Sequence, residues 1–179
     1  MRGRKLPVAV HPGLRPTPQR VRESLFSILG NAVPERLFVD VFAGSGVVGL
    51  EALSRGAASA LFVERDRRLA DAIERNAKEF GVGPQARVLR HDVYRWAERW
   101  AAPAEPVNVF LSPPFVDLAE RPADFAALVA HLQARLAPGS VLILQLEDTF
   151  DPTTLPAANA WESRKYGRNL LLFWEPLSV

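Results

Sequence analysis

From residue 37 onward the chain alternates short apolar runs with amphipathic segments of helical length, and few folds tolerate that alternation. Leu37–Phe42 reads as a buried strand running into a glycine loop, and Val47–Arg55 as a helix closed by Gly56. Ala58–Glu64 is a second strand. Asp66 is placed to cap the helix that follows, whose Leu69, Ile73, Ala77 and Phe80 recur at helical spacing until Gly81 ends it. Ala86–Arg90, Val107–Leu111 and Val141–Leu146 supply three more strands. Helices over Val93–Trp100 and Asp124–Leu136 separate them, with Pro138-Gly139 turning the chain into the last. Helical crossovers of this kind join parallel strands and cover both faces of the sheet. The ending departs from the pattern. Trp161–Tyr166 and Asn169–Glu175 are strand-like, and the short segment at Gly167 leaves no room for a helix. They should form an antiparallel hairpin at one sheet edge.

Ahead of the sheet, Thr17 can cap a helix with Pro18 at its first position and an apolar stripe of Val21, Leu25, Ile28 and Leu29, stopped by Gly30. Asp151–Ala158 reads as a loop. At 179 residues the chain suits one domain, residues 1–36 forming a basic arm and helix that belong to it and residues 37–179 its body. The absence of cysteine excludes disulfides, thiol catalysis and thiolate zinc sites. His11, His91 and His131 have no metal-ligand spacing, so no metal is expected and surface positions are. Trp96 and Trp100, four apart, should pack one helix face on the sheet, while Trp161 and Trp174 could pair across the hairpin.

The formal net charge is only +2, but it is unevenly spread. Residues 1–36 carry Arg2, Arg4, Lys5, Arg15, Arg20, Arg22 and Arg36 against Glu23 and Glu35, which leaves +5 there and −3 on the rest. Nineteen of the 22 basic residues are arginine, whose planar fork suits phosphate. A nucleic-acid-binding arm and a solvated terminus both fit. Targeting fits less well: Leu6–Val10 is too short for a signal peptide and is interrupted by Pro7, and the first serine is Ser24. No apolar run approaches the ~20 residues of a membrane span. A soluble, unprocessed, cytoplasmic monomer is expected.

Gly44-Ser45-Gly46-Val47-Val48-Gly49 is a G-x-G-x-x-G between a strand and a helix, where glycines let a ligand approach main-chain N–H groups. Glu64 ends the next strand, twenty positions after Gly44, where an acid can bind ribose hydroxyls. Together they indicate a nucleoside-bearing cofactor. Asp40, at the first strand's end, would oppose a pyrophosphate and suit an ammonium group such as that of S-adenosylmethionine; it could equally be satisfied by loop N–H groups. Asp92 could accept from an adenine amine, cap the next helix, or do both.

Ser112-Pro113-Pro114-Phe115 follows the fourth strand, at the sheet edge where open α/β folds bind ligands. Two prolines make a rigid turn with free carbonyls, and Phe115 offers a stacking face. Ser112 Oγ and the Pro113 carbonyl can accept both hydrogens of an exocyclic amine, turning its lone pair toward a methyl donor. A plain rigid turn is the other possibility.

These residues fall into a known pattern. Gly13-Leu14-Arg15-Pro16-Thr17, Arg20-Val21-Arg22-Glu23-Ser24-Leu25-Phe26, Val39–Gly46, Gly49–Ala57, Phe62–Asp66 and Lys165-Tyr166-Gly167 closely resemble bacterial 16S ribosomal RNA guanine-N2 methyltransferases across nearly the whole chain. The resemblance implies a Rossmann-like class I methyltransferase: an α/β fold with a mainly parallel twisted sheet, helices on both faces and a C-terminal antiparallel hairpin. It implies S-adenosylmethionine as cofactor and ribosomal RNA or the small ribosomal subunit as partner. By position, Asp40, Phe42, Ala43, Gly44, Ser45 and Gly46 would hold the methionine part, Glu64 and Arg65 the ribose side, and Asp92 with Val93 the adenine. Ser112–Phe115 would hold the guanine. Arg15, Thr17, Arg20 and Arg22 would serve RNA or cofactor, joined on RNA by Arg4 and Lys5. Two features depart from the family. Its loop begins with Asp or Asn where this chain has Ser112, and the chain begins at Met1-Arg2-Gly3-Arg4-Lys5-Leu6 without the family's first short strand, which bears on the chain start or on RNA docking. A weakened catalyst serving as an RNA-binding assembly factor, and a DNA or protein methyltransferase, remain open.

Overall fold

The computed structural model describes residues 17–177, so Arg4, Lys5, His11 and Arg15 lie outside the described residues. Seven strands form one sheet in the order β3-β2-β1-β4-β5-β7-β6. They are β1 (Leu37–Val41), β2 (Ser59–Val63), β3 (Ala86–Leu89), β4 (Asn108–Leu111), β5 (Val141–Glu147), β6 (Glu162–Tyr166) and β7 (Asn169–Trp174). The first five run parallel, and β7 pairs antiparallel with both β5 and β6. This is the Rossmann-like class I methyltransferase architecture expected, hairpin included. β1 lies between β2 and β4, which makes the β1/β4 boundary the switch point where the chain's winding reverses and a crevice opens.

Each sheet face buries its own apolar cluster. One face packs against α1 (Gln19–Leu29), α2 (Val47–Ser54) and α3 (Arg67–Glu79), with Phe38, Phe62, Phe110, Ile143 and Leu171 at its centre. The other takes α4 (Val93–Arg99) and α6 (Pro122–Gln133), through Trp96, Phe125, Leu128 and Leu132. Period-2 alternation on a two-faced sheet explains why the strands read as continuous apolar runs. Trp96 and Trp100 stack at 5.1 Å on the α4 side. His91 is exposed, and His131 lies half-buried in the last turn of α6.

Several local expectations are corrected. Thr17 does not cap α1: Pro18 is the N-cap and no side-chain bond is made there. The Thr17 hydroxyl instead donates to Gln145 Oε1 at 2.6 Å, which ties the chain entering the helix to the C-terminal end of β5. Ile28 is 44% exposed, and Phe26 takes the place given to it; the buried stripe is rotated because the Phe26 ring packs on Phe38 at 6.0 Å. β1 ends at Val41 rather than Phe42, whose φ of 59° leaves the strand region. A short helix, α5 (Phe115–Glu120), precedes α6, which itself begins at Pro122 rather than Asp124 and ends at Gln133. Trp161 sits just outside the hairpin ladder, its indole donating to the Pro156 carbonyl at 2.9 Å.

Candidate active site

The strand ends around the switch point open into a cleft of about 1010 Å³. Its first half is built by the loop after β1. Phe42, Gly44 and Gly46 all have positive φ, 59°, 55° and 71°, so the backbone coils and delivers Gly46 as the left-handed N-cap of α2. A Cβ on Gly46 would lie 2.7 Å from Ile73 Cγ1, and one on Gly49 would enter the Phe62 ring. The three glycines therefore let α2 settle on β2 and α3 while the loop stays thin. Phe42, Ala43, Gly44 and Ser45 line the cleft; Gly46 lies behind it.

Two acids anchor that loop from below. Glu64, buried at the end of β2, accepts the Gly44 N–H through Oε2 and the Asp66 N–H through Oε1, both at 2.8 Å. Asp40, only 2% exposed, accepts the Gly49 N–H through Oδ2 at 2.9 Å. Burial raises the Asp40 carboxyl to about 8, opposed by the Gly49 bond and aided by the nearby charge of Glu64. Both acids line the cleft, with Arg65 exposed beside Glu64. Asp92 has both roles open to it: its Oδ1 accepts the Arg95 N–H and caps α4, and it lines the cleft next to Val93.

The second half begins at β4. The Ser112 N–H reaches the Val41 carbonyl at 3.4 Å, tying the loop to β1. Pro114 is the N-cap of α5, and Phe115, its first residue, is 66% exposed. Ser112, Pro113, Pro114 and Phe115 line the same cleft as the glycine loop, as does Thr17. Arg20 and Arg22 do not. Arg20 is exposed, while the Arg22 guanidinium is held by Glu51 at 2.7 Å and by the Thr17 carbonyl at 2.6 Å. Arg22 thus serves to hold the chain entering α1.

The structure adds wall residues that sequence reasoning missed. Tyr94 and Asp117 meet through a 2.9 Å bond from the phenol, and Gln145, Glu147, Arg168 and Asn169 form the far wall. Gln145 had a signal, a lone amide in the strand that begins with the apolar run Val141–Leu144. Asp117 had only its position three residues past Pro114. Among the described residues no group of His, Asp or Glu could hold a metal ion, and no helix is long and apolar enough to cross a membrane.

Known proteins resemble this chain in sequence and fold. Ribosomal RNA small subunit methyltransferase D of Escherichia coli K12 is 44% identical over 114 residues, 64% of this chain. The match spans 56% of that relative's own length. A solved hypothetical protein from Thermus thermophilus superposes with a TM-score of 0.77 at 35% identity, covering 97% of this chain and 94% of that one. The Escherichia coli protein yhhF gives 0.76 at 31% identity, covering 98% and 93%. The sequence pattern of one family, described as Conserved hypothetical protein 95, matches residues 1–175, and with that extent of agreement the chain belongs to this family.

Proposed function

We propose that the chain is an S-adenosylmethionine-dependent methyltransferase that acts on an exocyclic amine, guanine N2 of small-subunit (16S) ribosomal RNA, as a cytoplasmic monomer. The observation that carries this reading is one cleft lined on one side by Asp40, the glycine loop and Glu64, and on the other by Ser112-Pro113-Pro114-Phe115. The name of the Escherichia coli relative supports RNA as the substrate.

The residues present fit the cofactor. Asp40 is a buried acid beside a loop of thin backbone, which suits an ammonium and disfavours a pyrophosphate. Glu64 uses one lone pair of Oε2 on the Gly44 N–H and one of Oε1 on the Asp66 N–H, and a carboxylate keeps further acceptor capacity for ribose hydroxyls. Asp92 and Val93 would border the adenine. When bound, the cofactor supplies an electrophilic methyl group on a sulfonium. The chain's own part is to hold and orient the amine. Ser112 Oγ and the Pro113 carbonyl accept its hydrogens, Phe115 stacks on the base, and the stiff Pro113-Pro114 turn fixes their separation. Such positioning supplies much of the rate without a strong base.

Ser112 favours one second reading, a cofactor- and RNA-binding assembly factor with weak catalysis, since a neutral hydroxyl grips an amine less firmly than a carboxylate. Labelled methyl transfer to stripped 16S ribosomal RNA and to assembled small subunits, with mass mapping of the product, tests the proposal. Incorporation at a guanine supports it; none into either substrate overturns it.

A further inference from the structure

The far wall of the cleft carries a hydrogen-bonded chain that the cofactor and the Ser112 loop leave without a role. The Thr17 hydroxyl donates to Gln145 Oε1 at 2.6 Å, and Gln145 Nε2 donates to Asn169 Oδ1 at 3.1 Å. All three residues line the cleft, and Gln145 and Thr17 are buried. The register explains the reach. Glu147 stands opposite Asn169 and Gln145 opposite Leu171, so Gln145 and Asn169 are diagonal neighbours on one face of the β5–β7 pair. With its oxygen taken by Gln145, Asn169 keeps its Nδ2 group, which has no hydrogen-bond partner among the described residues. Glu147 places a carboxylate on the same face and in the same cleft.

This wall stands beyond β4, on the side of the cleft away from β2 and β3, where Glu64 and Asp92 sit. An amide donor matches the carbonyl on a guanine edge, and unstacked RNA bases are read along such edges. Adenine, with an amine where guanine has its carbonyl, would set donor against donor. We propose that Thr17, Gln145 and Asn169 form a base-edge subsite that presents the Asn169 amide N–H to the carbonyl oxygen of a guanine held by the Ser112 loop. Asn169 is the specificity-determining group. Gln145 is a positioning residue that fixes which end of the Asn169 amide faces inward, and Thr17 fixes Gln145 in turn. The subsite rests on the proposed methyltransferase function and names the base feature that its substrate half reads.

The test uses the whole chain with S-adenosylhomocysteine present and two probes, guanosine and 2-aminopurine riboside. The second keeps the exocyclic amine but lacks the carbonyl. Wild type should bind guanosine at least about fivefold more tightly, the worth of one net hydrogen bond near 1 kcal/mol. Asn169→Ala should reduce that preference about fivefold, with affinity for S-adenosylhomocysteine within twofold of wild type. Gln145→Glu can no longer donate to Asn169 Oδ1, so it should turn the Asn169 amide around and lose the same preference with Asn169 still in place. An unchanged preference in both variants, or none in wild type, overturns the subsite. Methyl transfer in the same preparations separates the two readings. Transfer without guanosine preference sinks the subsite alone, and preference without transfer sinks the methyltransferase reading while the subsite stands.

Discussion

The Gly44 N–H donates to Glu64 Oε2 at 2.8 Å, so the acid that ends β2 holds the turn that follows β1. Its other oxygen holds the Asp66 N–H, which starts α3. One carboxylate therefore ties two loops on adjacent strands into a single cleft wall. Glu64→Gln would set an amide NH2 against one of those two N–H donors. Losing a hydrogen bond to a charged group costs about 1.5–3 kcal/mol, so S-adenosylmethionine affinity should fall roughly 10- to 100-fold. Titration calorimetry reads this directly. An affinity within threefold of wild type would remove Glu64 from the cofactor wall.

Asp40 sets the pH behaviour of the free protein. Its carboxyl titrates at about 8 when folded and near its ordinary value of 3.8 when unfolded. Between those values the folded state holds a proton that the unfolded state has released, so stability falls as pH rises from about 4 to about 8. The slope is at most about 1.4 kcal/mol per pH unit, and it vanishes above the folded value. Asp40→Asn should flatten that decline in urea melts. An ammonium ligand beside Asp40 favours its ionised form, so binding at pH 6, where the ligand's amine is already protonated, should release close to one proton, and that release should shrink as pH rises toward 8. Calorimetry in buffers of different ionisation enthalpy counts those protons.

On the proposed function, Ser112 would limit the grip on the amine. A hydrogen bond to a charged group is worth about 1.5–3 kcal/mol against about 1 for a neutral one. Ser112→Asp should raise the rate of methyl transfer by about 2- to 30-fold, with RNA affinity unchanged. Ser112→Ala should lower it. Single-turnover assays on small-subunit RNA give both values, and a slower Ser112→Asp enzyme would show that the loop is tuned to its serine.

The strand and glycine pattern was legible because a two-faced parallel sheet writes continuous apolar runs separated by turn residues. Asp40, Glu64 and Asp92 each end or follow a strand, so their convergence at one crevice came from topology alone. Polar residues that act through tertiary neighbours were not legible. Thr17 has the chemistry of a cap, and only the nearness of β5 shows that its hydroxyl goes to Gln145 instead. Arg22 reads as a phosphate ligand until Glu51, 29 residues away, is seen to hold it. The helix α5 was hidden by its length, six residues behind two prolines, and Asp117 was hidden with it.

Asp117 and Tyr94 hold that short helix against α4. The Tyr94 ring meets Phe42 edge-on at 6.0 Å, lies under the Arg121 guanidinium at 4.1 Å, and donates its hydroxyl to Asp117 Oδ2. Burial and the Asp117 carboxylate hold the phenol well above its ordinary range, so it stays protonated as a donor through neutral and mildly alkaline pH. Tyr94→Phe removes that donor and leaves the buried Asp117 with a partner missing, at a cost of about 1–3 kcal/mol in urea unfolding. Asp117→Asn keeps an acceptor and should cost less. Asp117→Leu in the Tyr94→Phe background removes both polar ends and should recover part of the loss, because an unmatched buried acid costs more than an apolar pair. If the two changes simply add, the bond carries no coupling, and α5 is held by packing alone.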